Sequence, residues 1–262
     1  MTSGEFRTDD GCRIFWQTAG DRDLPALLLA NSLGTNLTMW DDQIAAWSKH
    51  RFVIRYDMRG HGRSDVTPIG FGIERLGADA LAVLDHLGIQ QCDFVGLSLG
   101  GMVGQWLGLS APARVRHLVL ANTSAYMGPP ESWDSRIALV KSSGMAAIAS
   151  AVVERWFTPE FQARSAEPQR ILGMLLDTDP IGYTAACAAI RDMDQRGSVG
   201  AISLPTLVIG GSRDPATPPD QATFLANAIQ HAQLRMLDTA HLSNIEMPNE
   251  FGRLVDDFIT EN

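Results

Sequence analysis

The sequence predicts an α/β fold in which helices cover both faces of a mostly parallel sheet. Candidate strands alternate with amphipathic helices along most of the chain, which is the order expected of such a sheet. The strand candidates are also short, continuous apolar runs, such as PALLLANS at 25–32. Runs of this kind are typical of strands that are buried on both faces. The 262 residues, 45% of them hydrophobic, are sufficient for a large core.

Strands and helices follow each other regularly up to residue 124. The glycine-rich loop MRGHGRSD at 58–65 follows the third strand, and right-handed crossovers should place the helices on alternate sides of the sheet. In this part of the chain we predict strands at 12–20, 25–32, 51–57, 92–98 and 115–124, and helices at 38–49, 73–88 and 100–112.

The regular order stops after residue 124. Residues 125–200 contain five prolines and helical patterns, but no clear strand. We therefore predict a helical insertion that forms a lid on a core of residues 1–124 and 201–262. The α/β order then resumes, with predicted strands at 204–214 and 232–238 and predicted helices at 218–229 and 249–260.

The net charge and the cysteines limit the possible partners and the cellular compartment of this protein. The net charge of −9 argues against nucleic acids and anionic membranes as partners. The odd number of cysteines, Cys12, Cys92 and Cys187, and their wide spacing favour a reducing compartment over a disulfide framework or a metal site. We see no signal peptide and no membrane-spanning run. We therefore expect a cytoplasmic protein without metal or cofactor; its oligomeric state stays open.

Ser98 is the candidate nucleophile. It stands in DFVGLSLGG, after a predicted strand and before a predicted helix. Gly96 and Gly100 would allow the tight turn that exposes such a serine, and the helix N-terminus would favour an oxyanion beside it. The alternative is a strand–helix turn with an incidental serine.

Asp214 and His241 are the candidate acid and base. Each follows a predicted strand, at the sheet edge where ligands bind. Taken separately, Asp214 could open the turn before Pro215, and an isolated histidine is usually structural. The order Ser98, Asp214, His241 is, however, the chain order of the α/β-hydrolase triad. His61, in the glycine-rich loop, is assigned to shaping the turn.

The oxyanion hole requires two N–H donors. Our candidates are the backbone N–H groups of Leu33, in the loop NSLG at 31–34, and of Leu99, the residue after the nucleophile. Many α/β-hydrolases have His-Gly in this loop, where this chain has Asn31 and Ser32.

Several segments make the sequence resemble a known enzyme family, the 3-oxoadipate enol-lactonases of the β-ketoadipate pathway. The resemblance runs from about residue 12 to 258 and includes the insertion. It implies a serine hydrolase that opens a small enol-lactone bearing a carboxymethyl group. Leu99 stands where the family commonly has Met. The segments are NSLGTNLTMW, RYDMRGHGRSD, GLSLGGMVGQWLG, LVLANTSAYMGPPESW, CAAIRDMD, LVIGGSRDPATPP and AHLSNIEMP.

The substrate's carboxylate would need a cationic partner inside this acidic protein, because burying it unpaired is costly. We expect Arg136 and Arg191 to supply that charge and Trp133 to form a wall. The alternatives are exposed surface arginines and a core tryptophan.

Other activities use the same triad. A serine esterase, a carbon–carbon bond hydrolase and a cofactor-free perhydrolase remain possible, whereas Ser98 excludes the branch with an aspartate nucleophile. A ligand receptor built on this fold is the non-enzymatic alternative.

Overall fold

The computed structural model describes residues 1–67 and 70–261 and confirms the α/β fold. Its eight-stranded sheet has the order β1-β2-β4-β3-β5-β6-β7-β8. β2 is antiparallel to both of its neighbours, and every pair from β4–β3 to β7–β8 is parallel. The strands are β1 (Thr2–Arg7), β2 (Arg13–Ala19), β3 (Ala26–Ala30), β4 (Phe52–Tyr56), β5 (Cys92–Leu97), β6 (Val115–Ala121), β7 (Thr206–Gly211) and β8 (Gln233–Leu237).

Helices connect the strands from β3 onward. None of the described helices is long and apolar enough to cross a membrane. The helices are α1 (Asp41–Trp47), α2 (Ile73–His86), α3 (Leu99–Ser110), α4 (Pro130–Ser143), α5 (Ala149–Glu154), α6 (Pro159–Arg164), α7 (Glu167–Leu176), α8 (Pro180–Asp192), α9 (Pro219–Ala228), α10 (Ser243–Glu246) and α11 (Pro248–Glu261).

The central strands form the core of the sheet. Every residue of β3, β4, β5 and β7 is buried, as the continuous apolar runs predict for strands covered on both faces. Because these strands are parallel, their carboxyl ends lie at one edge of the sheet. Leu33, Ser98 and Asp214 follow β3, β5 and β7, so the fold brings these three residues to the same edge.

The N-terminal strand β1 was not expected from the sequence. It pairs with β2 along its whole length, yet its residues are exposed or half-buried and Phe6 is its one large apolar side chain. Its order therefore comes from pairing with β2. Such a strand lacks the apolar alternation by which strands are recognised in a sequence.

Between β6 and β7 the chain forms five α-helices, α4 to α8. Residues 135–157 have a continuous helical pattern in the sequence, but they do not form one helix. α4 ends at Ser143 because Gly144 has a left-handed backbone, with φ of 72°. α5 then begins at Ala149. That these helices form a separate lid stays a prediction.

The turn from β5 into α3 requires two residues without side chains. A Cβ on Gly96 would lie 2.1 Å from the Gly100 carbonyl oxygen, and a Cβ on Gly100 would lie 2.1 Å from the Ala30 carbonyl oxygen. Both obstacles are backbone atoms, which cannot rotate away. The two glycines therefore let α3 begin directly against the ends of β5 and β3.

We expect Gly96→Ala to lower the free energy of unfolding by about 1–3 kcal/mol, because the added methyl group overpacks this turn. Gly173→Ala is the matched control. Gly173 lies inside α7 and a Cβ there would meet nothing within 4 Å, so alanine should raise stability by about 0.5–1 kcal/mol. Urea denaturation measures both. Equal stability of Gly96→Ala and wild type would contradict the described packing of the turn.

Candidate active site

Ser98 occupies a strained turn directly before α3. Its backbone angles are φ 58° and ψ −114°, a region that costs energy for a residue with a side chain. Hydrogen bonds hold it there: its N–H donates to the Ala121 carbonyl (2.9 Å), and its carbonyl accepts from Thr123 Oγ1 (2.7 Å) and the Met102 N–H (3.0 Å). Because the surrounding backbone is bonded in this way, the strained conformation is maintained.

Asp214 and His241 are in direct contact. His241 Nδ1 lies 2.8 Å from Asp214 Oδ2, and both side chains are buried. The same carboxylate oxygen accepts from Asn122 Nδ2 (3.0 Å) and Thr217 Oγ1 (2.7 Å). Oδ1 accepts from the N–H groups of Ala216 and Thr217. The carboxylate therefore receives five hydrogen bonds.

These contacts keep the Asp214 carboxylate ionised. Burial would raise the pKa of Asp214, but the charge of His241 and the hydrogen bonds outweigh it and hold that pKa below its usual range. The carboxylate is therefore ionised, and we assign the Nδ1 proton to the ring. With the proton on Nδ1 directed at Asp214, Nε2 is the ring nitrogen that can accept a proton.

Asn122 forms hydrogen bonds with Asp214 and with the loop that carries His241. Its Nδ2 donates to Asp214 and also to the Ala240 carbonyl (3.2 Å), while Ser243 Oγ donates to its Oδ1 (2.6 Å). Asn122 has a positive φ of 43°, a conformation that asparagine tolerates better than most residues. It thus connects the loop after β6 to the loops that carry Asp214 and His241.

Ser98 and His241 line one cavity of about 220 Å³ between the sheet edge and the insertion. The Trp156 ring is stacked on the His241 imidazole, with centroids 6.3 Å apart. Among the described residues, no group of three or more His, Cys, Asp or Glu could hold a metal ion. The other lining residues include Ser32, Leu33, Met102, Met127, Trp133, Arg136, Val152, Arg155, Tyr183, Ile190 and Thr217.

Two guanidinium groups line this cavity from the insertion. Arg136 lies over the Trp133 ring at 4.8 Å. Partial burial, together with the charge of Arg136, lowers the pKa of Arg155. Within residues 1–67 and 70–261, neither arginine forms an ion pair with a carboxylate. The cavity is therefore locally cationic, although the whole chain carries a net charge of −9.

The structure corrects the expectation for Arg191. Ile190 lines the cavity, but Arg191 is one residue further along α8, about 100° around the helix axis, and lies in a different cleft. There its guanidinium pairs with Asp134 and Asp192, each at 2.7 Å. The predicted Trp133 and Arg136 do line the cavity, together with Arg155, which the sequence did not distinguish from a surface arginine.

The loop of residues 31–35 approaches the start of α3. The Gly100 N–H donates to the Asn31 carbonyl at 2.9 Å, which joins the loop that carries Leu33 to the turn that carries Leu99. In the part of the chain that the structure describes, no protein group accepts a hydrogen bond from the N–H of either leucine. The N–H of Ser32, by contrast, is directed at Met39 Sδ (3.3 Å).

His61 is enclosed beneath this loop. Its Nε2 accepts from the Gly34 N–H at 2.9 Å, and its Nδ1 lies 3.2 Å from the Arg59 carbonyl oxygen. Burial lowers the pKa of His61 from 6.5 to about 4. The ring is therefore neutral at physiological pH, with its proton on Nδ1.

The insertion is bonded to the loop that carries His241. The N–H groups of His241 and Leu242 both donate to the Trp156 carbonyl at 3.1 Å. The buried Glu246 carboxylate accepts from the Ala240 N–H (3.1 Å) and from the hydroxyl and N–H of Thr158. The segment that follows Arg155 is therefore held directly against the histidine loop.

The sequence did not single out several residues of this site, namely Asn122, Arg155, Thr217 and Glu246, and it assigned His61 only to shaping its turn. Most of these residues contact remote parts of the chain; His61 and Gly34, for example, are 27 positions apart, whereas Thr217 and Asp214 are only three apart. A local pattern does not show which remote atoms a side chain meets. The signals that were present were weak: an asparagine directly after a strand, and a histidine between two glycines.

Comparison with known proteins shows what this chain is similar to. A family model described as the alpha/beta hydrolase fold matches residues 25–170. The chain is 42% identical to 3-oxoadipate enol-lactonase 2 of Acinetobacter baylyi over 243 residues, which cover 92% of this chain and 91% of the relative.

Solved structures give the same result. A hydrolase from Pseudomonas aeruginosa PA01 superposes with a TM-score of 0.96 and 42% identity, covering 98% of both chains. The enol-lactonase from Burkholderia xenovorans LB400 superposes with a TM-score of 0.95 and 39% identity, covering 98% of this chain and all of the other. The resemblance predicted from the sequence motifs is confirmed.

The buried state of His61 predicts a pH dependence of stability. Because its folded pKa lies below the unfolded value, stability falls as the pH drops from 6.5 towards 4, by about 3 kcal/mol. His61→Gln should lack this contribution. Urea denaturation across this pH range measures the free energy of unfolding of both proteins. The difference between wild type and His61→Gln should change by about 3 kcal/mol between pH 6.5 and 4. Parallel curves would contradict a neutral, enclosed His61.

Proposed function

The chain belongs to the α/β-hydrolase family, and we propose that it is a serine hydrolase that opens 3-oxoadipate enol-lactone to 3-oxoadipate in the catabolism of aromatic compounds. The observation that carries this proposal is the composition of one cavity. Ser98 and His241 line it together with two arginines that lack carboxylate partners among the described residues. The names of the similar enol-lactonases support the choice of substrate.

Ser98 is the proposed nucleophile, with His241 as its base. His241 Nε2 takes the Ser98 proton as Oγ attacks the lactone carbonyl, and the imidazolium that forms is stabilised by the ionised Asp214. The Asp214–His241 contact of 2.8 Å supports this assignment, because it keeps the ring in the tautomer that leaves Nε2 unprotonated.

The N–H groups of Leu33 and Leu99 are the proposed oxyanion hole. Neither N–H has a protein acceptor within the described residues, and Leu99 opens α3, where the helix dipole favours negative charge. One such donor contributes about 2.7–4 kcal/mol to lowering the barrier.

The chemistry of the leaving group favours completion of the reaction. Collapse of the tetrahedral intermediate breaks the ring C–O bond while the His241 imidazolium donates its Nε2 proton to the leaving enol oxygen. This oxygen is a better leaving group than a saturated alkoxide, and it stays tethered to the acyl chain. Its tautomerisation to the ketone discourages closure of the ring again. Water activated by His241 then hydrolyses the acyl-enzyme and frees Ser98.

Arg136 and Arg155 bind the carboxylate of the substrate in this proposal. Two guanidinium groups that face one cavity repel each other; burial, and after it the charge of Arg136, lowers the pKa of Arg155. An anion between the two groups removes that repulsion. Trp133 lies against Arg136 and closes this side of the cavity. The cavity of about 220 Å³ favours a small substrate.

We place the reaction in the cytoplasm. All three cysteines are free and buried, a state compatible with a reducing compartment.

We expect the purified protein to hydrolyse the enol-lactone with a far higher kcat/KM than 4-nitrophenyl acetate. Ser98→Ala should lower kcat by about 10⁴- to 10⁶-fold, because it removes the nucleophile. Ser132→Ala, which changes a different serine of the same cavity, should leave kcat near the wild-type value. Chromatographic detection of 3-oxoadipate measures lactone hydrolysis by wild type and both variants, and the absorbance of released 4-nitrophenolate measures hydrolysis of the ester. Faster hydrolysis of the nitrophenyl ester, with no turnover of the lactone, would contradict the proposed substrate.

Arg155→Met and Arg136→Met should each raise KM for the enol-lactone by about 10- to 100-fold, the effect of losing a hydrogen bond to a charged group. Hydrolysis of a neutral nitrophenyl ester should change little, because that ester carries no carboxylate. Arg191→Met is the matched control, since this guanidinium pairs outside the cavity. Steady-state kinetics with both substrates test the assignment. A KM increase for Arg191→Met but not for Arg155→Met would contradict the assignment of Arg155 to carboxylate binding.

A further inference from the structure

The proposed mechanism does not use His61, yet both of its ring nitrogens lie within hydrogen-bonding distance of backbone groups. An N–H group can only donate, so Nε2 must accept from Gly34. A carbonyl can only accept, so the proton must be on Nδ1, directed at the Arg59 oxygen. The ring thus connects the glycine-rich loop after β4 to the loop of residues 31–35.

The residue that His61 holds is adjacent to a proposed oxyanion donor. Gly34 follows Leu33, and the N–H of Ser32, on the other side of Leu33, is directed at Met39 Sδ. The Gly34 carbonyl is also bound, by Thr178 Oγ1 at 3.2 Å. The backbone on both sides of Leu33 is therefore held, while the Leu33 N–H itself has no protein acceptor within the described residues.

We propose that His61 is a positioning residue that holds the loop of residues 31–35 so that the Leu33 N–H stays directed at the oxyanion. This role rests on the proposed function, because it deepens the assignment of Leu33 to the oxyanion hole. His61 does not contact the substrate; it acts through the Gly34 N–H. Its contribution is realised when charge develops on the carbonyl oxygen, so it stabilises the transition state more than the bound substrate.

The chemistry of this position favours a neutral imidazole. The buried Gly34 N–H needs an acceptor, and the Arg59 carbonyl needs a donor on the same side chain. A carboxylate would provide no donor and would be an unpaired charge in an enclosed place. A protonated ring would turn Nε2 into a second donor, and the lowered pKa of His61 prevents this at physiological pH.

Variants at His61 separate positioning from simple support of the fold. His61→Leu removes the acceptor, whereas the amide oxygen of His61→Gln reaches about the place of Nε2. His117→Leu is the matched control. This histidine is also largely buried, and its Nδ1 contacts Asp93 Oδ1 at 2.8 Å near the start of β5, at the other edge of the sheet.

We expect His61→Leu to lower kcat by about 10- to 100-fold with KM nearly unchanged, since a displaced oxyanion donor costs up to the effect of losing one. His61→Gln should recover most of kcat. A small boronic acid, which forms a tetrahedral adduct with a nucleophilic serine, should bind His61→Leu more weakly by the same factor. Binding of the product 3-oxoadipate should be unchanged. His117→Leu should lower Tm and leave kcat and boronate affinity at wild-type values.

A kcat loss in His61→Leu no larger than that in His117→Leu, or an equal loss of boronate and product affinity, would overturn the proposal. If His61→Leu does not fold, His61→Gln and His61→Asn are compared instead, because the shorter asparagine cannot reach Gly34; equal kcat values would then overturn it. The same variants are also assayed with a nitrophenyl ester, whose hydrolysis requires the oxyanion hole but does not depend on the enol-lactone being the substrate. The role of His61 can therefore be tested even if the protein does not hydrolyse the enol-lactone.

Discussion

The close contact between the start of α3 and the end of β3 is the constraint on which the site depends. Gly100 donates its N–H to the Asn31 carbonyl and has no room for a Cβ against Ala30. This contact places the strained Ser98 turn beside the loop that carries Leu33. The proposed nucleophile and the two proposed N–H donors come from separate parts of the chain and are thus brought to the start of α3, where the helix dipole favours negative charge.

The loop that carries Leu33 has no regular secondary structure, so its order depends on side-chain hydrogen bonds with the rest of the protein. The Asn31 side chain donates to the Tyr56 carbonyl and accepts from the Trp40 indole N–H. His61 binds the other end of the loop at Gly34. Fixed dipoles stabilise developing charge well because they need not reorient during the reaction. These contacts fix the backbone N–H groups of this loop in position.

Charge is distributed unevenly between the chain and its cavity. An acidic protein repels an anionic substrate at long range, but Arg136 and Arg155 make the cavity itself cationic. The same insertion that carries them is bonded through Trp156 to the His241 loop. In the proposed reaction, the groups that bind the substrate carboxylate and the base that activates Ser98 are therefore held in one connected unit.

The chain order of Ser98, Asp214 and His241, and the strand that precedes each, were predictable because a buried strand has a local apolar signature and parallel strands end at a common edge. Which arginine faces the cavity was not predictable. Arg191 is turned away by about 100° of helix rotation, whereas Arg155 reaches the cavity wall. Helix phase and contacts between residues remote in sequence arise only when the elements pack, so no local pattern specifies them.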